Sequence, residues 1–226
     1  MVIEIPNVFS ADEVREFRQL LESANWQDGR ATAGHRAQGV KDNEQLPLDD
    51  PLARQLADRV LDRLGRTPLF IAAALPNRVL QPRFSRYAGR GTYGNHVDNA
   101  IFALNASGQH LRSDISSTLF LSDPDEYDGG ELVIEDMFGE HSIKLPAGHM
   151  IVYPGSSLHR VEPVTRGTRY VSFFWTQSFV AQAEQRRLLL ELDNSIQAIA
   201  ADHPDHASVD RLTQVYHNLL RQWSVT

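Results

Sequence analysis

Between residues 69 and 177 short runs rich in Val, Ile, Phe, Tyr and Thr alternate with turn signals, and no stripe at helical spacing is sustained. That texture belongs to an all-β sandwich or barrel. Candidate strands are 79–87, 115–122, 131–135, 141–145, 150–153, 160–164 and 169–175. Asp128-Gly129-Gly130 and Arg166-Gly167-Thr168 read as turns, because glycine accepts positive φ. Met137-Phe138-Gly139 reads as the closure of a hairpin. Helical signals stand on both sides of this core. Ser10-Ala11-Asp12-Glu13 has capping-box form ahead of Val14, Phe17, Leu20 and Leu21. Asp50-Pro51 opens a second helix, striped by Leu52, Leu56, Val60 and Leu64, with Gly65 at its end. After Phe179, the stripe Leu188, Leu189, Leu192, Ile196 and Ile199 is followed by Val209, Leu212, Tyr216, Leu219 and Trp223, with His203-Pro204-Asp205 as the joint. The expected class is mainly β with flanking helices (α+β). Residues 1–76 form an N-terminal helical and lid region, 77–178 the β domain and 179–226 a C-terminal helical extension. The lid is the polar connection 27–47, with Gly29, Gly34 and Gly39, expected to flank a pocket mouth.

Composition narrows the function. The 226 residues carry a net charge of -7, whereas proteins that grip nucleic acid present basic surfaces to phosphate, so no nucleic-acid partner is expected. Cysteine is absent, which removes disulfides, thiolate metal sites and thiol nucleophiles. No apolar run reaches the ~18 residues of a membrane span. The opening Met1-Val2-Ile3-Glu4-Ile5-Pro6 lacks the basic and apolar regions of a secretory signal. A cytoplasmic protein is expected.

His96-Val97-Asp98 then carries the chemistry. Side chains two apart on a strand share a face, so both reach one metal ion. Two imidazoles and one carboxylate make the facial triad of non-haem iron(II) oxygenases and leave three coordination positions open. His159, after the strand 150–153 and the turn Pro154-Gly155-Ser156-Ser157, is placed to be the third ligand. The other His-x-Asp, at His203 and Asp205, sits between two helices and reads as a turn. His35, His110, His141, His149, His206 and His217 lack a carboxylate at matching spacing or lie in loops and helices. Ten residues past His159 comes Arg169, in an otherwise apolar strand, where a buried cation requires an anion. The distal carboxylate of 2-oxoglutarate would supply it through a bidentate pair.

Several segments together carry a family likeness: Arg86-Tyr87, Gly91-Thr92-Tyr93-Gly94-Asn95-His96-Val97-Asp98-Asn99, Gly129-Gly130-Glu131-Leu132, Pro154-Gly155-Ser156-Ser157-Leu158-His159-Arg160-Val161 and Gly167-Thr168-Arg169-Tyr170. The chain resembles the 2-oxoglutarate/iron(II) oxygenases of prolyl-hydroxylase type, and more narrowly the bacterial PKHD-type hydroxylases, a group associated with iron uptake. The resemblance covers nearly the whole chain. It implies a double-stranded β-helix (jelly-roll, cupin-like), iron(II) on His96, Asp98 and His159, and 2-oxoglutarate on Arg169. It also implies Tyr87 and Tyr93 in the pocket, ascorbate as reductant, and hydroxylation of a C–H bond with release of succinate and CO2. The chain departs from the pattern at Phe120, where relatives place a cosubstrate-binding tyrosine. Phenylalanine donates no hydrogen bond, and Thr118 or Ser172 is expected to serve instead. Competing readings are a related iron oxygenase acting on a small molecule such as a siderophore or amino acid, and a non-catalytic cupin-like metal-binding barrel. The latter has no need of Arg169. The expected partners are a peptide or small-molecule substrate and, through the C-terminal hairpin, a second copy of the chain.

Overall fold

The computed structural model describes residues 1–32, 37–104 and 108–225. In chain order the elements begin β1 (Ile3–Ile5), α1 (Ala11–Glu22), β2 (Gln27–Asp28), β3 (Lys41–Asp42), β4 (Glu44–Gln45), α2 (Pro51–Leu64) and α3 (Pro68–Ala74). There follow β5 (Pro76–Val79), β6 (Arg83–Ala88), β7 (Thr92–His96), β8 (Ile101–Ala103), β9 (His110–Arg112), β10 (Ile115–Phe120), β11 (Tyr127–Gly129) and β12 (Leu132–Asp136). The last are β13 (Gly139–Ile143), β14 (Met150–Pro154), β15 (Leu158–Val161), β16 (Val164–Ser178), α4 (Ala183–Asp202) and α5 (Ala207–Trp223).

Two antiparallel sheets face each other as a jelly-roll, with helices at both ends of the chain. The larger runs β1-β14-β10-β16-β6-β4-β2, with β11 and β5 also on β16. The smaller runs β13-β12-β15-β7-β3. Alternation along each strand separates two cores. Phe84, Ile115, Leu119, Met150, Val152, Tyr170 and Phe174 turn outward onto Phe17 and Leu21 of α1, Leu56 and Val60 of α2 and Phe70 of α3. Tyr87, Phe120, Ile151, Tyr153 and Val171 turn inward to meet Leu132, Ile134 and Val161 of the smaller sheet. A third cluster packs Leu75, Val180 and Leu189 with Tyr216, Leu219, Leu220 and Trp223. Arg186 of α4 is buried there and donates to the Val180 and Ala181 carbonyls. Among the described residues no helix is long and apolar enough to cross a membrane.

The helix signals hold in detail. Ser10 and Glu13 close the capping box, and Asp50 accepts from the Leu52 and Ala53 amides at the start of α2. The hairpin at Met137 and Phe138 pairs Asp136 with Gly139. Four expectations change. Residues 68–74, read as the start of the β region, are helical: Pro68 sits in the first turn, and an apolar run this short fits a buried strand or a helix equally well. The strand expected at 79–87 is two, β5 and β6, pairing with opposite ends of β16. Neither glycine turn forms as expected: Asp128 and Gly129 end β11, and β16 runs through Arg166-Gly167-Thr168, with Gly167 at φ 71 where β11 pairs with its early residues. The expected lid segment is also partly strand. Lys41 and Asp42 extend the smaller sheet along β7, whereas Glu44 and Gln45 extend the larger along β6. Its Gly34 and His35 lie outside the described residues.

Candidate metal and cosubstrate site

His96 ends β7 and His159 lies within β15, directly opposite one another in the antiparallel register. Opposed residues on neighbouring strands bring their side chains together on one face, and the two rings stand 4.1 Å apart. Asp98 lies just beyond the end of β7, so the strand supplies one ligand and the turn after it the next. Its carboxylate oxygens are 3.9 Å from His96 Nε2 and 3.8 Å from His159 Nε2. The three donor groups lie within 4.8 Å of one another.

The surroundings prepare these groups as ligands. His96 Nδ1 donates to the Gly94 carbonyl at 2.8 Å and His159 Nδ1 to the Ser157 carbonyl at 3.0 Å. Both Nε2 lone pairs are thereby left for an ion, since the bond made by one ring nitrogen sets the tautomer of the other. Burial, and then the neighbouring His159, push His96 down to about 4, so it is neutral at physiological pH. Ser116 of β10 donates to Asp98 Oδ2 at 2.6 Å, which orients the carboxylate from the opposite sheet. Tyr93 stacks on His96 with ring centres 3.6 Å apart. Two imidazoles and one oriented carboxylate are the donor set of a facial-triad iron site, and the residues present fit that ion.

A cavity of about 720 Å³ opens over the triad, within the usual range for small-molecule sites. Along β16, Arg169, Val171, Phe173 and Trp175 line it. Arg169 is 1% exposed, its guanidinium lying 5.2 Å from the Tyr87 ring centre and 5.3 Å from that of Phe120. It forms no ion pair among the described residues, and both its Nε and the nearby Tyr127 hydroxyl are buried without hydrogen-bond partners. Gly130 makes room for it: a Cβ there would stand 3.1 Å from Arg169 Cδ. A buried guanidinium without a carboxylate is costly unless an anion completes it.

The structure gathers His96, Asp98, His159, Arg169, Tyr87, Tyr93 and Thr118 around this one cavity. It does not gather Ser172. That residue faces the helices, in register with Leu119 and Phe84 of the outer core, because it is an odd number of residues from Arg169 along one strand. His203 and Asp205 lie at the joint of α4 and α5 and take no part. Sequence reading missed Lys41, Arg83, Ser116, Tyr127 and Tyr153. Burial lowers Lys41 to about 8, with Arg83 adding to the effect, and raises the Tyr153 hydroxyl well above the usual phenol range. An alternation count along β10 finds Ser116 from Thr118; nothing local points to Lys41.

Residues 82–177 match the 2OG-Fe(II) oxygenase superfamily, and residues 184–224 match the PKHD-type hydroxylase C-terminal domain. A PKHD-type hydroxylase of Parvibaculum lavamentivorans is 57% identical over 226 residues, with 100% of each chain covered. PKHD-type hydroxylase PiuC of Pseudomonas aeruginosa is 54% identical over 224 residues, with 99% of each covered. Among solved structures, a Pseudomonas putida prolyl-4-hydroxylase superposes with a TM-score of 0.51 at 21% identity, covering 78% of this chain and 92% of that one. HygX of Streptomyces hygroscopicus, solved with nickel, 2-oxoglutarate and hygromycin B, gives 0.55 at 17% identity, covering 80% and 84%. A jelly-roll with this His-Asp-His cluster, within that superfamily, is an iron(II)- and 2-oxoglutarate-dependent oxygenase. Within the class, the chain belongs to the PKHD-type hydroxylases along its full length.

Proposed function

We propose that the protein hydroxylates a C–H bond of an organic substrate, with iron(II) on His96, Asp98 and His159 and 2-oxoglutarate anchored by Arg169. When bound, iron and cosubstrate supply the oxidising chemistry, consuming O2 and releasing succinate and CO2. The chain's residues bind, orient and shield. Arg169 pairs with the far carboxylate of the cosubstrate, and Thr118 offers the hydroxyl that Phe120 lacks. Tyr87 and Phe120 hold the guanidinium between them, and the apolar face of β16 keeps water from the reacting centre. The observation that carries this reading is Arg169: buried, without an ion pair among the described residues, and sharing a cavity with three metal-ligand side chains. A cupin-like metal-binding barrel has no use for such a residue. Ascorbate as reductant and a cytoplasmic setting belong to the same proposal.

The test is succinate formation from 2-oxoglutarate under air, measured beside metal content. His96→Ala, Asp98→Ala and His159→Ala are expected to lose both bound iron and turnover, as loss of a ligand in the triad demands. His203→Ala and Asp205→Ala keep both. Iron retained in the first set and lost in the second would overturn the assignment.

A further inference from the structure

Arg83 lies at the other end of the cavity from Arg169. On β6 it stands opposite Phe173, four residues along from Tyr87, which stands opposite Arg169. At about 3.3 Å per residue, the two guanidinium-bearing positions are roughly 13 Å apart along the sheet. Arg83 lines the cavity, is half-buried, and its buried Nε has no hydrogen-bond partner. Its guanidinium lies 5.1 Å from the Trp175 ring centre and 5.9 Å from that of Phe102.

The charges around the cavity do not balance. Among its described lining residues Asp98 is the only carboxylate, against Lys41, Arg83 and Arg169. A divalent ion at the triad and a doubly charged cosubstrate cancel one another, and Asp98 offsets one arginine. Even with Lys41 set aside, one positive charge is left over after the known ligands are seated. Desolvation makes such a surplus unfavourable, and the burial that lowers the basicity of Arg83 is the same penalty. A planar guanidinium matches a carboxylate through two parallel hydrogen bonds. The aromatic walls suit an apolar body beside that group.

We infer that the substrate is an organic carboxylic acid, bound as its anion, with the carboxylate on Arg83 and an apolar portion against Trp175 and Phe102. This rests on the oxygenase reading and narrows its substrate class.

Zinc(II) in place of iron stops turnover and keeps the protein diamagnetic. With zinc and saturating 2-oxoglutarate bound, so that Arg169 is occupied, phenylacetate, indole-3-acetate, octanoate and 4-hydroxybenzoate are tested by saturation-transfer NMR, each beside its primary amide. The expected result is binding by acids of this set, with the amides at least tenfold weaker. Arg83→Gln weakens the acids at least tenfold and Arg83→Lys less, while zinc and 2-oxoglutarate affinities measured by calorimetry stay unchanged. Silence from every acid, equal binding of acids and amides, or unaltered acid binding in Arg83→Gln overturns the inference. The acid–amide contrast in the wild type decides even if Arg83→Gln fails to fold. Failure of the wild type to bind 2-oxoglutarate defeats the oxygenase reading instead, whereas intact 2-oxoglutarate binding with silent acids defeats only the carboxylate inference.

Discussion

Arg169 and His96 show how one side chain's surroundings set its task. Arg169 has aromatic faces for neighbours and no carboxylate among the described residues. Removing one side of a shielded charge pair costs roughly 3–5 kcal/mol, so Arg169→Ala is expected to weaken 2-oxoglutarate binding by on the order of a hundredfold or more. Lysine restores part of the loss, since it keeps the charge but not the fork. Calorimetry with zinc bound reads this directly, and wild-type affinity in Arg169→Ala would remove the cosubstrate assignment. His96 makes a second prediction. Its folded-state pKa is depressed to about 4, while the unfolded chain takes up the proton near 6.5. Above that value neither state is protonated and His96 adds no pH dependence. As pH falls from about 6.5 toward 4 the unfolded state binds the extra proton, and stability drops by on the order of 3 kcal/mol. Urea midpoints of the metal-free protein between pH 7.5 and 4.5 should fall accordingly, with a shallower fall in His96→Asn. The ligand residues themselves were legible, because spacing, chemistry and the later arginine all point to one ion. Lys41 and Arg83 were not, because what they touch depends on which distant strands become neighbours.

At the scale of elements, the link between β11 and β12 is built to let β16 through. Gly130 has φ 69, and an added Cβ would stand 2.8 Å from Val164 Cγ2 and 3.0 Å from Tyr127 Cε2 as well as against Arg169. Gly130→Ala is expected to cost about 1–3 kcal/mol through the backbone alone and also to weaken 2-oxoglutarate binding by displacing Arg169. Gly139 provides the control: at φ 128 nothing lies within 4 Å, so Gly139→Ala should lower the unfolding midpoint and leave cosubstrate affinity intact. Equal affinities in the two variants would separate Gly130 from the pocket. Element types were readable where caps and punctuation were local, as at Ser10, Asp50 and Pro204. They failed at 68–74 and in the polar connection before α2, where Lys41 and Gln45 join opposite sheets only because β7 and β6 offer edges to pair with. That outcome depends on the assembled fold and leaves no periodic trace in so few residues.

Across the whole molecule, the His-Asp-His cluster and Arg169 belong to different layers. His96 and His159 are carried by the five-stranded sheet and Arg169 by the nine-stranded one, and Ser116 reaching Asp98 is a direct link between them. On the proposed function, a molecule held both at the triad and at Arg169 would be a crosspiece, fastened to both walls at once. Binding at either fastening should favour the other, and by thermodynamic reciprocity zinc must sharpen 2-oxoglutarate affinity by the same factor that 2-oxoglutarate sharpens zinc affinity. In thermal melts, 2-oxoglutarate alone should raise the midpoint little, zinc more, and the two together by more than the sum of their separate shifts. Strictly additive shifts would mean that each wall holds its ligand alone. If the shifts are coupled, the protein is most resistant to unfolding when charged for reaction and less so once the cosubstrate is spent, so that one short diacid both fuels the chemistry and braces the barrel around it.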